Sequence, residues 1–127
     1  MRFTFIDKER MQMAAKFEIY KSSEGQFRFH LKVTNNGEII LASEAYTQKV
    51  NCKKGIESVK KNAPEDTRYA RKENKAGKWY FVLKAGNHEV IGTSQAYSSE
   101  AACKKGIESV KRHAPDAELV DTTTTQN

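Results

Sequence analysis

Apolar and polar residues alternate along several short segments of this 127-residue chain. In QFRFHLKV (26–33) every second residue is apolar, and KWYFVLKA (78–85) shows the same alternation. Strict alternation predicts a β-strand with one buried face and one face in water. KFEIYK (16–21) and EIILAS (38–43) predict two further strands, and the turn signals SSEG and TNNGE separate the three in the first half.

A helical pattern follows the strands. Cys52, Ile56, Val59 and Ala63 recur at steps of four, three and four, which draws one apolar stripe along a helix. Gly55 lies inside this helix, where glycine costs about 1 kcal/mol relative to alanine. We therefore expect the helix to approach the sheet closely at this point.

The ends of the helices carry capping signals. Thr47 in the first helix and Ser98 in the second are placed to cap the N-terminus. Asn62 is expected to close the first helix in the left-handed conformation, with Pro64 preventing its continuation.

The letters CKKGIESVK occur at 52–60 and again at 103–111, within a longer duplication. Repeat 1 (16–66) and repeat 2 (68–117) each read β-β-β-α. We therefore predict an α+β fold: a tandem duplication of a β3-α(-β) unit that forms a single antiparallel sheet with two helices packed on one face.

The chain begins the first strand of the repeat a third time at 118–120. This predicts that the copies interlock: the segment 68–73 would complete the sheet of the first copy while opening that of the second. The terminal strand 118–120 would do the same at the far end.

These patterns predict one pseudo-symmetric domain over 16–120, which is a monomer with an internal pseudo-two-fold axis. Residues 1–15 match neither repeat and are predicted to be a flexible N-terminal extension. The polar residues 121–127 are predicted to be a disordered tail.

Net charge and hydropathy indicate which partners and which cellular location to expect. The 22 basic and 16 acidic side chains give a net charge of +6, which favours weak attraction to polyanions. The sequence has neither an apolar run of membrane-spanning length nor the pattern of a signal peptide, so no membrane partner is predicted and a cytoplasmic protein is expected.

Catalytic and cofactor motifs are missing from the sequence. Cys52 and Cys103 are equivalent positions on the helix stripes without a C-x-x-C pair, so we predict core packing for both. His30, His88 and His113 do not recur in the other copy. With no nucleophile elbow and no glycine-rich phosphate loop, the prediction is a small binding or interaction module without catalytic residues, cofactor or metal, and not an enzyme. An enzyme with a catalytic site on one copy only is the remote alternative.

The outward side of the sheet carries the one suggestive constellation, in which aromatic residues stand among cations. An open sheet of this kind is one way to bind single-stranded nucleic acid. The aromatic residues are few, and an exposed antiparallel face must be polar in any case, so a protein partner is favoured over RNA or DNA. The predicted partner-binding face consists of Tyr20, Arg28, His30, Lys32, Lys72, Tyr80 and Lys84.

The motifs F-x-I-Y-K, G-x-F-x-F-x-L-K, N-G-E-x-I, S-E-x-Y and GIESVKKNAP, in tandem over 16–120, resemble the YegP-like family of small, mostly bacterial proteins. The resemblance implies two β3-α-β units, from one chain or two, that share one antiparallel sheet and exchange their terminal strands. It implies no established activity and no functional residues.

Overall fold

The computed structural model of the protein describes residues 15–124. In this part of the chain the predicted order β-β-β-α occurs twice and is followed by a seventh strand. The strands are β1 (Ala15–Lys21), β2 (Phe27–Val33), β3 (Ile39–Ala42), β4 (Tyr69–Glu73), β5 (Trp79–Lys84), β6 (Val90–Thr93) and β7 (Glu118–Asp121), and the helices are α1 (Lys49–Asn62) and α2 (Glu100–His113).

All seven strands form one sheet in the order β4-β5-β6-β3-β2-β1-β7. Neighbouring strands are antiparallel, except that β7 joins β1 in parallel, so the sheet is mixed. The predicted α+β class, the single sheet and the tandem duplication are confirmed.

The core lies between one face of the sheet and the two helices. Phe17, Phe29 and Phe81 are fully buried on that face, and the apolar stripes of both helices belong to the same cluster. Each helix contacts strands of both copies: α1 packs on β2, β5 and β6, while α2 packs on β5 and β3. The two repeats therefore share one hydrophobic core.

A pseudo-two-fold axis passes between β3 and β6, where Ala42 pairs with Thr93. The equivalent positions Leu41 and Gly92 lie beside this axis, and both are buried. A Cβ atom at position 92 would stand 2.6 Å from Leu41 Cδ2 and 2.7 Å from its Cγ. One leucine thus fills the space that two equivalent side chains would otherwise share.

The glycine inside each helix accommodates a tyrosine ring. A Cβ atom at Gly55 would lie 2.5 Å from Tyr46 Oη and 3.1 Å from Phe29 Cε2. At Gly106 the distances to Tyr97 Oη and Cζ would be 2.3 and 2.6 Å. The predicted close approach is confirmed, and its main partner is the tyrosine that precedes the helix.

The helix N-termini begin one residue later than predicted. Ser99 is the N-cap of α2, and its Oγ accepts a hydrogen bond of 3.1 Å from the Ala102 N–H. The N-cap of α1 is Gln48, whose side chain makes no capping hydrogen bond. The prediction of Thr47 and Ser98 as caps is therefore wrong.

The C-terminus of α1 also differs from the prediction. Asn62 is helical, and Ala63 after it keeps a helical conformation, so no left-handed residue closes the helix. The Asn62 side chain instead donates to the Ser58 carbonyl at 2.8 Å and accepts from Arg68 Nε at 3.0 Å. It is buried, and these bonds satisfy its amide.

Neither strand exchange takes the predicted form, because the terminal strand closes the first copy and not the second copy that it follows. The terminal strand β7 pairs with β1 of the first copy. Among the described strands β4 pairs with β5 alone, at the opposite edge of the sheet, so the prediction that 68–73 completes the sheet of the first copy is wrong. The reason is spatial, because β5, β6 and β3 lie between β4 and the outer strands of the first copy.

The ends of the described chain also extend the predicted domain. Ala15, predicted to belong to the N-terminal extension, begins β1, and residues 1–14 lie outside the described residues. Contrary to the predicted disordered tail, Asp121 ends β7 and Thr122–Thr124 form a 3₁₀ turn. The rest of that tail, 125–127, is outside the described part of the chain.

Asp121 fixes the end of β7 to α1, since its Oδ2 lies 2.9 Å from Lys49 Nζ. Burial alone would raise the pKa of this carboxyl, but hydrogen bonds from Lys49 and Thr123 outweigh that effect and lower the pKa to about 2. A depressed pKa means that the ionised carboxylate stabilises the fold above the unfolded pKa. This contribution is lost as the pH falls towards 2.

We therefore expect Asp121→Asn to lower the free energy of unfolding at pH 7 by about 1–2 kcal/mol, less than the full shift because the carboxylate is partly exposed. The difference from wild type should shrink between about pH 5 and pH 2. Urea unfolding at several pH values measures it. The exposed Asp116→Asn is the matched control, and a loss for Asp121→Asn that is constant with pH would contradict the prediction.

Candidate functional site

The side of the sheet away from the helices is called here the open face. Its side chains alternate along each strand with those of the core, so Glu18 and Tyr20 stand out where Phe17 and Ile19 point in. All seven residues predicted for the partner-binding face lie on this side. With two further neighbours, the open face includes Lys16, Glu18, Tyr20, Arg28, His30, Lys32, Lys72, Tyr80 and Lys84.

In the first copy the cations gather around one carboxylate. Glu18 Oε1 lies 2.7 Å from His30 Nε2 and 3.4 Å from Lys32 Nζ, and its Oε2 lies 3.5 Å from Lys16 Nζ. The pairing follows from the register, in which Glu18 stands directly opposite His30 on β2. Two of the predicted binding residues, His30 and Lys32, are therefore already engaged by an acid.

Sequence reasoning missed Glu18. Burial tends to raise the pKa of this carboxyl, but the hydrogen bond from His30 and the charge of Lys32 outweigh burial and lower it. The carboxylate is therefore ionised at neutral pH and cancels part of the positive charge around it. The alternation of KFEIYK already placed Glu18 outward, whereas its neighbours became known only with the pairing of β1 and β2.

A tyrosine and a cation stand side by side in each copy. Tyr20 is opposite Arg28 in the first copy, and Lys72 is opposite Tyr80 in the second. The repeat alignment makes Tyr20 equivalent to Lys72 and Arg28 equivalent to Tyr80, so the two members exchange places between copies. Tyr20 also packs on His30, with ring centroids 5.0 Å apart.

The second half of the open face lacks the acid of the first. Ala70 and Val82 occupy the positions of Glu18 and His30 and face each other across β4 and β5. Lys84 is equivalent to Lys32 and is half-buried. The uncompensated positive charge therefore lies mainly in the second half and around Arg28.

The two tyrosine–cation pairs are well separated. β2 and β5 are three strand spacings apart, about 14 Å at 4.8 Å per strand. The small side chains of Ala42 and Thr93 lie between them at the pseudo-two-fold axis. The open face is thus a broad surface with two separate clusters and a shallow centre.

The cysteines lie in the core, as predicted. Cys52 on α1 and Cys103 on α2 are free thiols and fully buried. Burial raises the pKa of Cys52 to about 11, and it also raises the pKa of Cys103 although Arg71 opposes this. Since the thiolate is the reactive form, both side chains are packing residues at neutral pH.

The three histidines occupy unrelated settings. His30 binds Glu18, and His113 Nδ1 lies 2.9 Å from the Ser109 carbonyl oxygen at the end of α2. His88 sits in a hairpin turn at φ 74°, the conformation that Gly37 adopts at 72° in the first copy. Within residues 15–124, no three His, Cys, Asp or Glu side chains are grouped so that they could hold a metal ion.

Neither helix in the described part of the chain is long and apolar enough to cross a membrane. Two copies of one small unit that share a sheet and a core define a tandem-repeat α+β protein. The family model described as Domain of unknown function (DUF1508) matches residues 22–69 and 74–121, so the chain belongs to this family.

Bacterial relatives support the assignment along most of the chain. The UPF0339 protein in ptx operon 5′ region of Stutzerimonas stutzeri is 62% identical over 109 residues, which covers 86% of this chain and 97% of the relative. UPF0339 protein YegP of Escherichia coli K12 is 49% identical over 111 residues, with coverage of 87% and 100%. The predicted resemblance to the YegP-like family is confirmed.

Solved structures share the fold. The solution NMR structure of YegP from Escherichia coli, described as a protein of unknown function, matches with a TM-score of 0.82 at 48% identity, covering 91% of this chain and 97% of that one. The solution NMR structure of a UPF0339 protein from Shewanella oneidensis matches with a TM-score of 0.79 at 50% identity, covering 86% and 92%.

Proposed function

We propose that this protein is a cytoplasmic binding module without catalytic activity, and that its open face docks on an acidic surface of a protein partner. One observation carries the proposal: neither of the two helices in residues 15–124 covers this face of the seven-stranded sheet, and the face gathers cations and tyrosines from both copies. A cytoplasmic setting suits two buried cysteines that are both free thiols.

The charge of the open face supports an acidic partner. Arg28, Lys72 and Lys84 have no carboxylate within ion-pair distance among the described residues. Long cationic side chains at the rim of an apolar or shallow centre steer an oppositely charged protein and fix its orientation. The Ala42–Thr93 centre leaves room for such a partner to approach the sheet.

A protein partner fits the face better than a nucleic acid strand does. Tyr20 on β1 and Tyr80 on β5 are four strand spacings apart, about 19 Å. Successive bases need aromatic platforms much closer together, because they stack on neighbouring side chains. Glu18 would also oppose a phosphate backbone that follows β1 and β2.

Single-stranded nucleic acid is the second candidate, and one observation favours it. Each copy presents a tyrosine beside a cation in directly opposed cross-strand positions. Such a pair can stack one base and contact one phosphate. Two such pairs would hold a strand at two points rather than along a continuous track.

The proposal is tested with the triple variant Arg28→Gln, Lys32→Gln and Lys84→Gln. These side chains point away from the core, so stability should change by less than about 0.5 kcal/mol per substitution. Lys32 is included although it pairs with Glu18, because its removal leaves that carboxylate to oppose an acidic partner. The matched control changes the exposed helix lysines Lys53, Lys54 and Lys105 to glutamine, which removes the same charge from the opposite side. Each protein is immobilised and exposed to cell extract with and without nuclease, and the retained proteins are identified.

We expect proteins retained from nuclease-treated extract by wild type and by the control to be lost with the open-face variant. Retention that is lost after nuclease treatment would favour single-stranded nucleic acid as the partner. Such retention should weaken steeply as the salt concentration rises. Equal losses for both triple variants would mean that net charge alone drives retention. That outcome would contradict a role for the open face.

A further inference from the structure

The outer edge of β1 is covered by β7. In their parallel register Leu119 stands beside Phe17 and packs against the core. Thr122 Oγ1 donates a hydrogen bond of 2.7 Å to the Ile19 carbonyl. The Ile19 backbone therefore points outward to the added strand, and Asp121 binds Lys49 of α1 on the helix side of the sheet.

The pseudo-two-fold axis places β4 where β1 stands in the first copy, but nothing in residues 15–124 pairs with the outer edge of β4. The duplication explains this difference. The segment that follows α1 and corresponds to β7 is itself the start of β4, since 67–69 aligns with 118–120. Within residues 15–124, two copies therefore present two such edges and one closing strand.

A groove of about 640 Å³ runs along this open edge, between β4 and α2. Tyr69 and Arg71 correspond to Phe17 and Ile19, so the groove occupies the place that β7 fills in the first copy. It is called here the β4 groove. Its lining includes Tyr69, Arg71, Trp79, Glu100, Lys104 and Ile107.

The backbone of the edge is suited to receive a strand. Arg71 is equivalent to Ile19, whose C=O points outward, and the N–H and C=O of one residue in an antiparallel pair point to the same side. Arg71 thus presents a donor and an acceptor to the groove. β4 spans only Tyr69–Glu73, so a short segment of a few residues is the natural length of the occupant.

The side chains of the groove specify the chemistry of that segment. Tyr69, Trp79 and Ile107 form an apolar lining that suits one apolar residue in the position of Leu119. Two residues further on, where Asp121 meets Lys49 in the first copy, the groove offers Glu100 with Arg71 Nε 3.2 Å from it. A neutral polar side chain can both donate to Glu100 and accept from Arg71 there, whereas a carboxylate would meet Glu100.

The other charges of the groove are balanced. Asp66 and Glu108 both pair with Lys111, the second pair at 3.7 Å, and Lys104 in the lining supplies the second positive charge. Arg71 and Glu100 remain partly exposed, with 37% and 48% of their side chains accessible. The groove therefore selects against the acidic residue that the chain's own β7 carries in this position.

We propose that the β4 groove binds an extended segment of a partner protein, which adds to the sheet as an eighth strand parallel to β4. The segment carries an apolar residue followed two positions later by Asn, Gln, Ser or Thr. This strand-addition site is separate from the open face and requires neither its cations nor its tyrosines.

Two occupants from this protein itself fit less well. A second copy added antiparallel about the centre of β4 would set Arg71 against Arg71, which is unfavourable in a cross-strand pair. Residues 1–14 enter the sheet at Ala15 on β1, six strand positions or about 29 Å from the groove. If residues 1–6 were the added strand, the linker from Asp7 to Ala15 could span that distance only when fully extended.

The test uses the full chain and three synthetic peptides based on 117–124. The peptide AELVNTTT carries asparagine in place of Asp121, AELVDTTT is the natural sequence, and AEDVNTTT replaces the apolar residue. Trp79, the single tryptophan, lines the groove and reports binding by fluorescence. Amide shifts of the ¹⁵N-labelled protein locate the peptide.

We expect millimolar AELVNTTT to shift amides of 69–73 and of the first turns of α2. AEDVNTTT should bind at least about tenfold more weakly, because it loses the apolar contact. AELVDTTT should bind about fivefold more weakly than AELVNTTT, and Glu100→Lys, which recreates the lysine of α1, should reverse that preference. Glu100 is exposed, so this variant keeps the fold.

Several outcomes would overturn the proposal. No shift in 69–73 with any peptide would do so, as would shifts centred on β1, which would mean that the peptide displaces β7. If the protein dimerises and the β4 amides become protected from hydrogen exchange as protein concentration rises, the edge binds a second copy. Peptide binding that appears only after deletion of residues 1–14 would assign it to that segment. The triple glutamine variant of the open face should bind AELVNTTT as tightly as wild type does. Weaker peptide binding by that variant would contradict a separate site.

Discussion

Replacing Gly92 with leucine should lower the free energy of unfolding by about 3 kcal/mol or more. Even a Cβ atom at this position would approach Leu41 to 2.6 Å, and the rest of a leucine side chain would need the same space. Leu41 is fully buried and stands beside the pseudo-two-fold axis, so it has nowhere to move. Chemical denaturation followed by circular dichroism measures the loss.

The exchange of the two side chains is the decisive control. Leu41→Gly alone should also cost about 2–5 kcal/mol, because it leaves a cavity in the core. The double variant Leu41→Gly with Gly92→Leu restores one leucine at the axis and should regain at least half of the combined loss. If the two losses simply add, the space at the axis is not shared and the interpretation is wrong.

Replacing Phe81 with alanine should lower the free energy of unfolding by about 3–5 kcal/mol. Phe81 is fully buried on β5 and packs edge-on against Tyr69 and parallel to Tyr97. Ile39→Ala is the control, since Ile39 is 41% exposed and its truncation should cost far less. Urea unfolding of both variants gives the comparison.

The same variant tests whether the two copies fold as one unit. Each helix packs on strands of both copies, and β7 from the second copy closes the sheet of the first. Trp79 fluorescence reports unfolding of the second copy, and amide protection of β1 and β2 reports unfolding of the first. The two transitions should therefore have the same urea midpoint. Protection of β1 and β2 beyond the Trp79 transition would show two independent units.

The two proposed surfaces differ in how they use the two copies. The open face combines residues of both copies around the pseudo-two-fold axis, and its pairs differ between copies only in detail. The β4 groove exists in one copy alone, because the other copy receives β7. A single protein could thus hold an acidic surface on its face and an extended segment at its edge.

Local pattern in the sequence determined the elements of the fold. Alternation along 26–33 and 78–85 gave the strands and the side of each residue, and the four-three-four spacing from Cys52 gave the helix stripe. These patterns are reliable because one face of an element must leave water wherever the chain runs. The membership of the open face followed from the same alternation, as did the packing role of Gly55.

Contacts between distant segments were decided only by the tertiary structure. Glu18 meets His30, β7 joins β1 in parallel, and β4 remains an edge strand instead of completing the first copy. Each depends on which strands become neighbours and in what register, and strands with similar alternation satisfy several arrangements equally well. The choice among them is made by the shared core, in which two helices must cover one sheet and, among the described residues, one closing strand is left for two equivalent edges.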